Sequence, residues 1–495
     1  MKKNCVIKAV CFLCIAALIL VYFNKMFTPE YYYDTDWAST STFEGFYKIP
    51  DQSIDVLFLG SSCAAAGFNV QNLYDNYGIT SYNLSSEHQS LFASYYWLEE
   101  CLRFQTPKVV VLESKFMFDM NPGEPLNMSE PYLRKAFDSM KWSEIKKEAV
   151  NVICQMDEEQ SKLSYYLPFV RFHSRWTELT DKDLLSYTAE ASKHNELKGS
   201  VIYNSKIGSD IYPFNPNDFY AVEDTVPIMM EYMDKIVNLC ETKGINLILT
   251  MTPTSVDDIY KFHAVNDYAN SKGLRFVDFN EISTFAACGY EYAINNCDQS
   301  HANLWGANKI TNYMADILVN EYGLTSHSDS AWDASEGYYQ QIITDFAVQD
   351  TWNLEDYLRL MVENKDRYSY LLAFREEATP YLSEEDMTYL RNLGIGAEFL
   401  DKTRCSYFAV IANGEVIERQ EFDAIEGSGV INHKLDYSIA SAAIGLGYYS
   451  SICINGTEYA KPYSGLNIVI VDNGTNEILD AVCFNTCVES KDAYR

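Results

Sequence analysis

Between residues 54 and 323 the chain alternates short apolar runs with amphipathic stretches, and few folds accept that pattern. "IDVLFLG" (54–60), "ITSYNLS" (79–85), "KVVVLES" (108–114), "INLILTMTP" (245–253) and "LRFVDFN" (274–280) each read as a strand. Helix-like sequence separates them, as in "LFASYYWLEECLRF" (91–104), and the region closes on the helix-like "NLWGANKITNYMADILVNEYG" (303–323). Strands that are apolar on both faces and alternate with helices form parallel sheets covered on both sides. Ligands in such sheets bind beyond the carboxyl ends of the strands. The polar residues that end each run are therefore the first place to look for chemistry.

At 495 residues the chain exceeds one ordinary core, so two or more domains are expected. A long insertion (115–225) separates the third and fourth strands, and insertions of this length often serve as lids or substrate walls. A polar linker is expected over 326–345. Beyond it, over 346–495, Asn413-Gly414, Asn455-Gly456 and Asn473-Gly474 each lie between alternating runs, an Asn-Gly hairpin signal. That part reads as a separate β-rich α+β domain.

The chain begins with an apolar run, Cys5 to Phe23, that carries one charge, Lys8. As a helix it would reach roughly 28 Å, about the thickness of a bilayer's hydrocarbon core. Lys2, Lys3 and Lys8 precede or open it, while Glu30, Asp34 and Asp36 follow. The positive-inside rule then predicts a single-pass plasma-membrane anchor with a cytoplasmic N-terminus and an extracytoplasmic body. A cleaved signal peptide is the alternative, but the small-x-small cleavage pattern is missing. Domain boundaries are thus expected at 1–25 (anchor), 26–325, 326–345 and 346–495.

A net charge of −31 argues against nucleic acid as a partner. Thirty-eight tyrosines give many rings that could cover sugar C–H groups. Of 13 cysteines, ten lie outside the apolar run; Cys288 with Cys297, or Cys453 with Cys483 or Cys487, could pair, and spacing does not decide. Outside the apolar run no CxxC or zinc-type spacing occurs, so neither a metal nor another cofactor is expected.

The first strand stops on Gly60-Ser61-Ser62. A serine attacks only when a base takes its proton and a third group steadies that base. "NNCDQSHAN" supplies Asp298 and His301 three residues apart before a helix, so Asp298 could hold Nδ1 while Nε2 faces Ser62. Asp298 or Ser300 also suits the cap of the helix that begins near Asn303. Cys63 is a rival nucleophile, although a neutral thiol there serves equally as a small packing residue.

These residues give 54–323 a resemblance to SGNH/GDSL-type hydrolases. "FLGSSCAAAGF" resembles the family's first block, with Ser62 at the nucleophile; the Gly-Ser-Ser variant is similar to that of the membrane-anchored D-alanyl transfer protein group. "DQSHAN" resembles the last block, with Asp298 and His301 in its Asp-x-x-His. The middle blocks depart from the pattern. Where the resemblance implies a Gly stand Ser85, Ser86 and Gln89, and where it implies an Asn stand Glu113 and Ser114. Either the Ser62 amide, a backbone N–H near Ser86 and the Gln89 side chain substitute as oxyanion donors, or such an enzyme is slow. In the insertion, "RFHSRW" also looks like a segment of membrane-tethered members and is expected near the cleft. There Arg175 could bind an anionic group and Trp176 could stack a sugar, beside Arg171 and His173.

"SYFAVIANGEVIER" together with "GLNIVIVDNGTNEILDAVCFNT" resembles the interleukin-like EMT inducer (ILEI/PANDER) domain over about 350–490, which implies a compact binding or spacer module. The chain thus reads as an anchored extracytoplasmic serine esterase or O-acyltransferase acting on a cell-envelope glycan, with a membrane partner delivering any acyl donor. The alternative is a non-catalytic glycan-binding surface protein on the same fold.

Overall fold

A computed structural model describes residues 2–28, 39–179, 196–396 and 404–495. It divides into two compact units, Met1–Tyr339 and Gln340–Arg495.

The first unit opens with the helix Lys2–Phe27, whose Val6–Asn24 stretch has a mean hydropathy of 2.7 and is long and apolar enough to cross a membrane. The body is built on five parallel strands, β1 (Val56–Leu59), β2 (Ser81–Asn83), β3 (Val109–Glu113), β4 (Asn246–Met251) and β5 (Arg275–Asp278). Their order is β2-β1-β3-β4-β5, the flavodoxin-like arrangement, with every neighbouring pair parallel. Val56, Leu57, Phe58 and Leu59 are all buried, and so are Val109 to Leu112, because helices cover both faces of the sheet. One such helix, Leu91–Cys101, packs against the helix Pro227–Lys243.

The described part of the 115–225 insertion is largely built onto this core. Its helices Glu130–Asp138 and Glu144–Met156 bury Leu133, Phe137, Val150 and Ile153 there. The segment expected as a linker over 326–345 is helical from Ser330 onward. Asp329 accepts from the Ala331 N–H to start the turn, and Trp332 is buried in the first unit's core. Burying that indole outweighs the local preference of small polar residues for loops.

The second unit is a ten-stranded curled sheet with helices. Its central strand β6 (Tyr368–Arg375) sorts its side chains with period two. Tyr370, Leu372 and Phe374 join one core with the helices Leu354–Glu363 and Glu384–Asn392, while Leu371 and Ala373 join a second core. Two of the Asn-Gly pairs are tight hairpin turns. Asn413 and Gly414 join β7 (Ser406–Ala412) to β8 (Glu415–Glu421), and both have positive φ. Asn455 and Gly456 likewise link two antiparallel strands. The third pair sits in a longer loop, where the Asp472 carboxylate accepts from the Gly474 and Thr475 N–H groups. None of Cys288, Cys297, Cys453, Cys483 and Cys487 is in a disulfide.

Candidate active site

Strand β1 delivers the chain to Gly60, where the backbone passes so close to β3 that a Cβ would lie 2.4 Å from the Cβ of Glu113. Only glycine fits there. Ser61 then caps the short helix Ser62–Gly67 by accepting from the Cys63 N–H, and Ser62 becomes its first residue. The helix is held by Asn83, at the end of β2, whose amide donates to the Ala64 and Phe68 carbonyls.

His301 arrives from the loop beyond β5. That loop is closed by the Cys297 N–H on the His301 carbonyl and by Tyr292 Oη on the Gln299 carbonyl. Asp298 Oδ1 accepts from the Ser300 and His301 N–H groups, so the carboxylate shapes the turn it stands on. The helix Leu304–Asn320 is capped instead by Asn303, whose side chain accepts from the Gly306 N–H.

The three side chains meet. His301 Nδ1 lies 2.7 Å from Asp298 Oδ2 and 2.9 Å from Oδ1, and Nε2 lies 2.9 Å from Ser62 Oγ. A carboxylate can only accept, so Nδ1 carries the ring proton and Nε2 is left as the acceptor for the serine hydroxyl. Burial would raise the Asp298 pKa, but the bonds from the His301 ring and the Ser300 N–H outweigh it and hold the carboxyl below the usual range. Asp298 therefore stays ionised wherever the imidazole can act as a base.

A cavity of about 260 Å³ opens beside this group, lined among others by His88, Lys115, Phe116, Met120 and Val256. Ser62 lines it from the first turn of the helix, where a backbone N–H has no intrahelical acceptor. Lys115 is 4% exposed, and among the described residues its ammonium makes one hydrogen bond, to Cys63 Sγ at 3.6 Å. Burial would lower its pKa, but Cys63, Asp257 and Glu113 together raise it, so the ammonium stays charged. Burial pushes the Cys63 thiol up to about 11, which keeps it protonated and a poor nucleophile at neutral pH. His88 Nδ1 donates to Asn121 Oδ1 at 3.0 Å and the ring stacks on Tyr132, and burial lowers its pKa, which favours the neutral form.

The remaining residues singled out in the sequence fall elsewhere. Glu113 is a brace: Oε2 accepts from the Ser61 N–H and Oγ, and Oε1 from the Lys115 N–H. Gln89 turns inward, its amide donating to the Leu84 carbonyl and Ser94 Oγ, while Oε1 accepts from Ser86 Oγ. Both of its N–H groups are consumed, so it offers no donor to the cavity. The Ser86 N–H is spent on the Gly60 carbonyl. Arg175, His173 and Trp176 do not line the cavity; Arg175 Nη1 donates to the carbonyl of Phe27, at the end of the N-terminal helix. Its charge answers the unsatisfied carbonyls of a helix terminus, which is a stronger local demand than an open cleft makes. Lys115 and His88 were not singled out in the sequence. Their one signal is position, directly after the carboxyl ends of β3 and β2.

Asp278 ends β5 in a fully buried setting. Burial raises its pKa to about 7, against bonds from the Asn280 N–H and side chain that lower it. A carboxyl whose folded pKa lies above its unfolded one stabilises the fold below the unfolded value and loses that contribution as pH rises through the folded value. Stability should therefore decline between about pH 4 and pH 7 through this group, and Asp278→Asn should flatten the decline. Urea unfolding midpoints of both proteins in detergent at pH 5 and pH 8 check this; equal slopes would refute it.

No protein-family model and no curated protein matches the chain. Among solved structures it is similar to the crystal structure of a candidate acylhydrolase from Bacteroides fragilis. The two share 12% identity, and the match covers 56% of this chain and 93% of that one at a TM-score of 0.26.

Proposed function

We propose that the chain is a serine esterase or O-acyltransferase, held at the membrane by its N-terminal helix and acting on acyl esters of a cell-envelope glycan. The observation that carries this reading is the 2.9 Å approach of His301 Nε2 to Ser62 Oγ, with Nδ1 bonded to Asp298. Ser62 Oγ attacks the ester carbonyl while its proton moves to Nε2. The carbonyl electrons collect on the oxygen, facing the Ser62 N–H and the Lys115 ammonium. As the C–O bond breaks, His301 returns the proton to the leaving alcohol and an acyl-serine remains. Water or a sugar hydroxyl then attacks the acyl carbon and gives its proton to His301, and as the acyl–Oγ bond breaks His301 returns that proton to Ser62 Oγ.

The cavity supports a short acyl group. At about 260 Å³ it falls below the roughly 300–1,000 Å³ of drug-sized ligand sites, and Phe116, Met120 and Val256 give it an apolar wall. The charge pattern around the apolar helix favours an extracytoplasmic body, where envelope glycans lie. The second unit then serves as a binding or spacer module.

A fluorophosphonate probe tests the reading, since it forms a bond only with an activated serine. Labelling at Ser62 that disappears in His301→Ala is the expected result. No labelling, with affinity for envelope polysaccharide retained, would favour a binding protein instead.

A further inference from the structure

After the helix Glu144–Met156 the chain runs through three short helical segments, Lys162–Tyr166, Phe169–Phe172 and His173–Thr177. No residue of the last two is buried. Trp176 is 70% exposed and Val170 38%, with Leu163 also exposed. Trp142, itself 70% exposed, lies 4.8 Å from the Tyr166 ring. Isolated exposed apolar residues are ordinary, but a run of them that carries one exposed indole and has a second beside Tyr166 is not.

This run is fastened to the end of the N-terminal helix. The Phe169 N–H donates to Asn24 Oδ1 at 2.8 Å, the Phe27 and Phe169 rings meet edge-on at 5.5 Å, and Arg175 Nη1 reaches the Phe27 carbonyl at 2.7 Å. Asn24 closes the apolar stretch that is long enough to span a bilayer. The run thus stands at the height where such a span would leave the hydrocarbon. That is the layer in which tryptophan gains most, with its ring in the acyl boundary and its N–H among headgroups.

We infer that residues 163–176 form a second membrane contact, docking Val170 and Trp176 into the headgroup layer beside the helix. The inference rests on the membrane anchoring proposed above. A lipid surface is the occupant because the patch is continuous with a helix whose residues from Val6 to Phe23 are all exposed, and one bilayer covers both. Exposed Lys162 in the same run suits anionic headgroups despite the acidic body. Two contacts restrain the tilt of the first unit, which a single helix on its own would leave free.

The test uses the full chain reconstituted into phosphatidylcholine–phosphatidylglycerol vesicles, with and without brominated acyl chains that quench nearby indoles. Wild-type emission should be quenched, and Trp176→Phe should remove one tryptophan's share of the quenchable signal. Val170→Asp should weaken the quenching of Trp176. A chain that floats with the vesicles after an alkaline wash, yet is quenched equally in wild type and Trp176→Phe, overturns the second contact alone. A chain that washes off overturns the anchor and this contact with it. Disulfide crosslinking of Trp176→Cys to a second copy, without lipid quenching, would assign the patch to a protein and also overturn the inference.

Discussion

Replacing Ser62 by alanine should reduce hydrolysis of 4-nitrophenyl acetate by roughly 10⁴-fold or more, to the level of the cavity's binding and oxyanion donors alone. In the proposed mechanism the hydroxyl is the atom that bonds to the acyl carbon, and nothing beside it can take over. Cys63 is the nearest alternative, but its thiol is pushed up to about 11 by burial and is largely protonated at neutral pH. His301→Ala should cost a similar factor, because the hydroxyl then has no base at 2.9 Å. The two losses should not add, since serine and imidazole act in one step. A double variant much slower than either single one would mean that they work separately. Ser62→Ala is sterically mild on the first turn of a capped helix, so the melting temperature should barely move. Undiminished turnover in Ser62→Ala would remove the enzymatic reading.

The second large effect is expected at Lys115. Lys115→Met should lower kcat by about 10²–10³-fold with little change in KM, the size of loss seen when one oxyanion donor is removed. The reason is charge placement. Lys115 lines the cavity beside Ser62 and is almost fully buried, and its ammonium has one weak sulfur acceptor among the described residues. Its other N–H donors are therefore available to the negative oxygen that develops in the transition state, and in a dry site such a charge counts for more than in water. Methionine keeps an unbranched apolar side chain, one atom shorter, and removes the charge. It also leaves buried Glu113 without the cation that faces it, whereas Asp257 keeps its ion pair with Lys261, so some stability should be lost as well. Lys115→Arg separates the two effects: a restored melting temperature with kcat still reduced would identify a geometric role toward the oxyanion. Unchanged kcat in Lys115→Met at full folding would show that the Ser62 N–H suffices. Steady-state kinetics on the same ester, beside thermal unfolding, measures both.

Much of the architecture is legible in the linear pattern because burial has a period. Apolar runs such as Val56–Leu59 and Val109–Leu112 can be satisfied only in a sheet covered on both faces, and that is where they lie. Asn413-Gly414 supplies the positive φ that a two-residue hairpin demands, so its turn is a local matter. The apolar opening helix is equally local, since length and composition alone make it long enough for a bilayer. Side-chain type and position after strand ends also single out Ser62, Asp298 and His301 as candidates. The sequence pattern is silent where a polar group has several partners within reach. Glu113 braces Ser61, Gln89 spends its amide on Leu84 and Ser94, and Trp332 draws an apparent linker into the core. Arg175 goes to a helix end rather than to a cleft. Propensity and periodicity are properties of neighbours along the chain, and these elements follow from them. Which hydrogen bond Ser61 or Arg175 makes depends on acceptors 52 and 148 residues away, and only the packed chain brings those within about 3 Å.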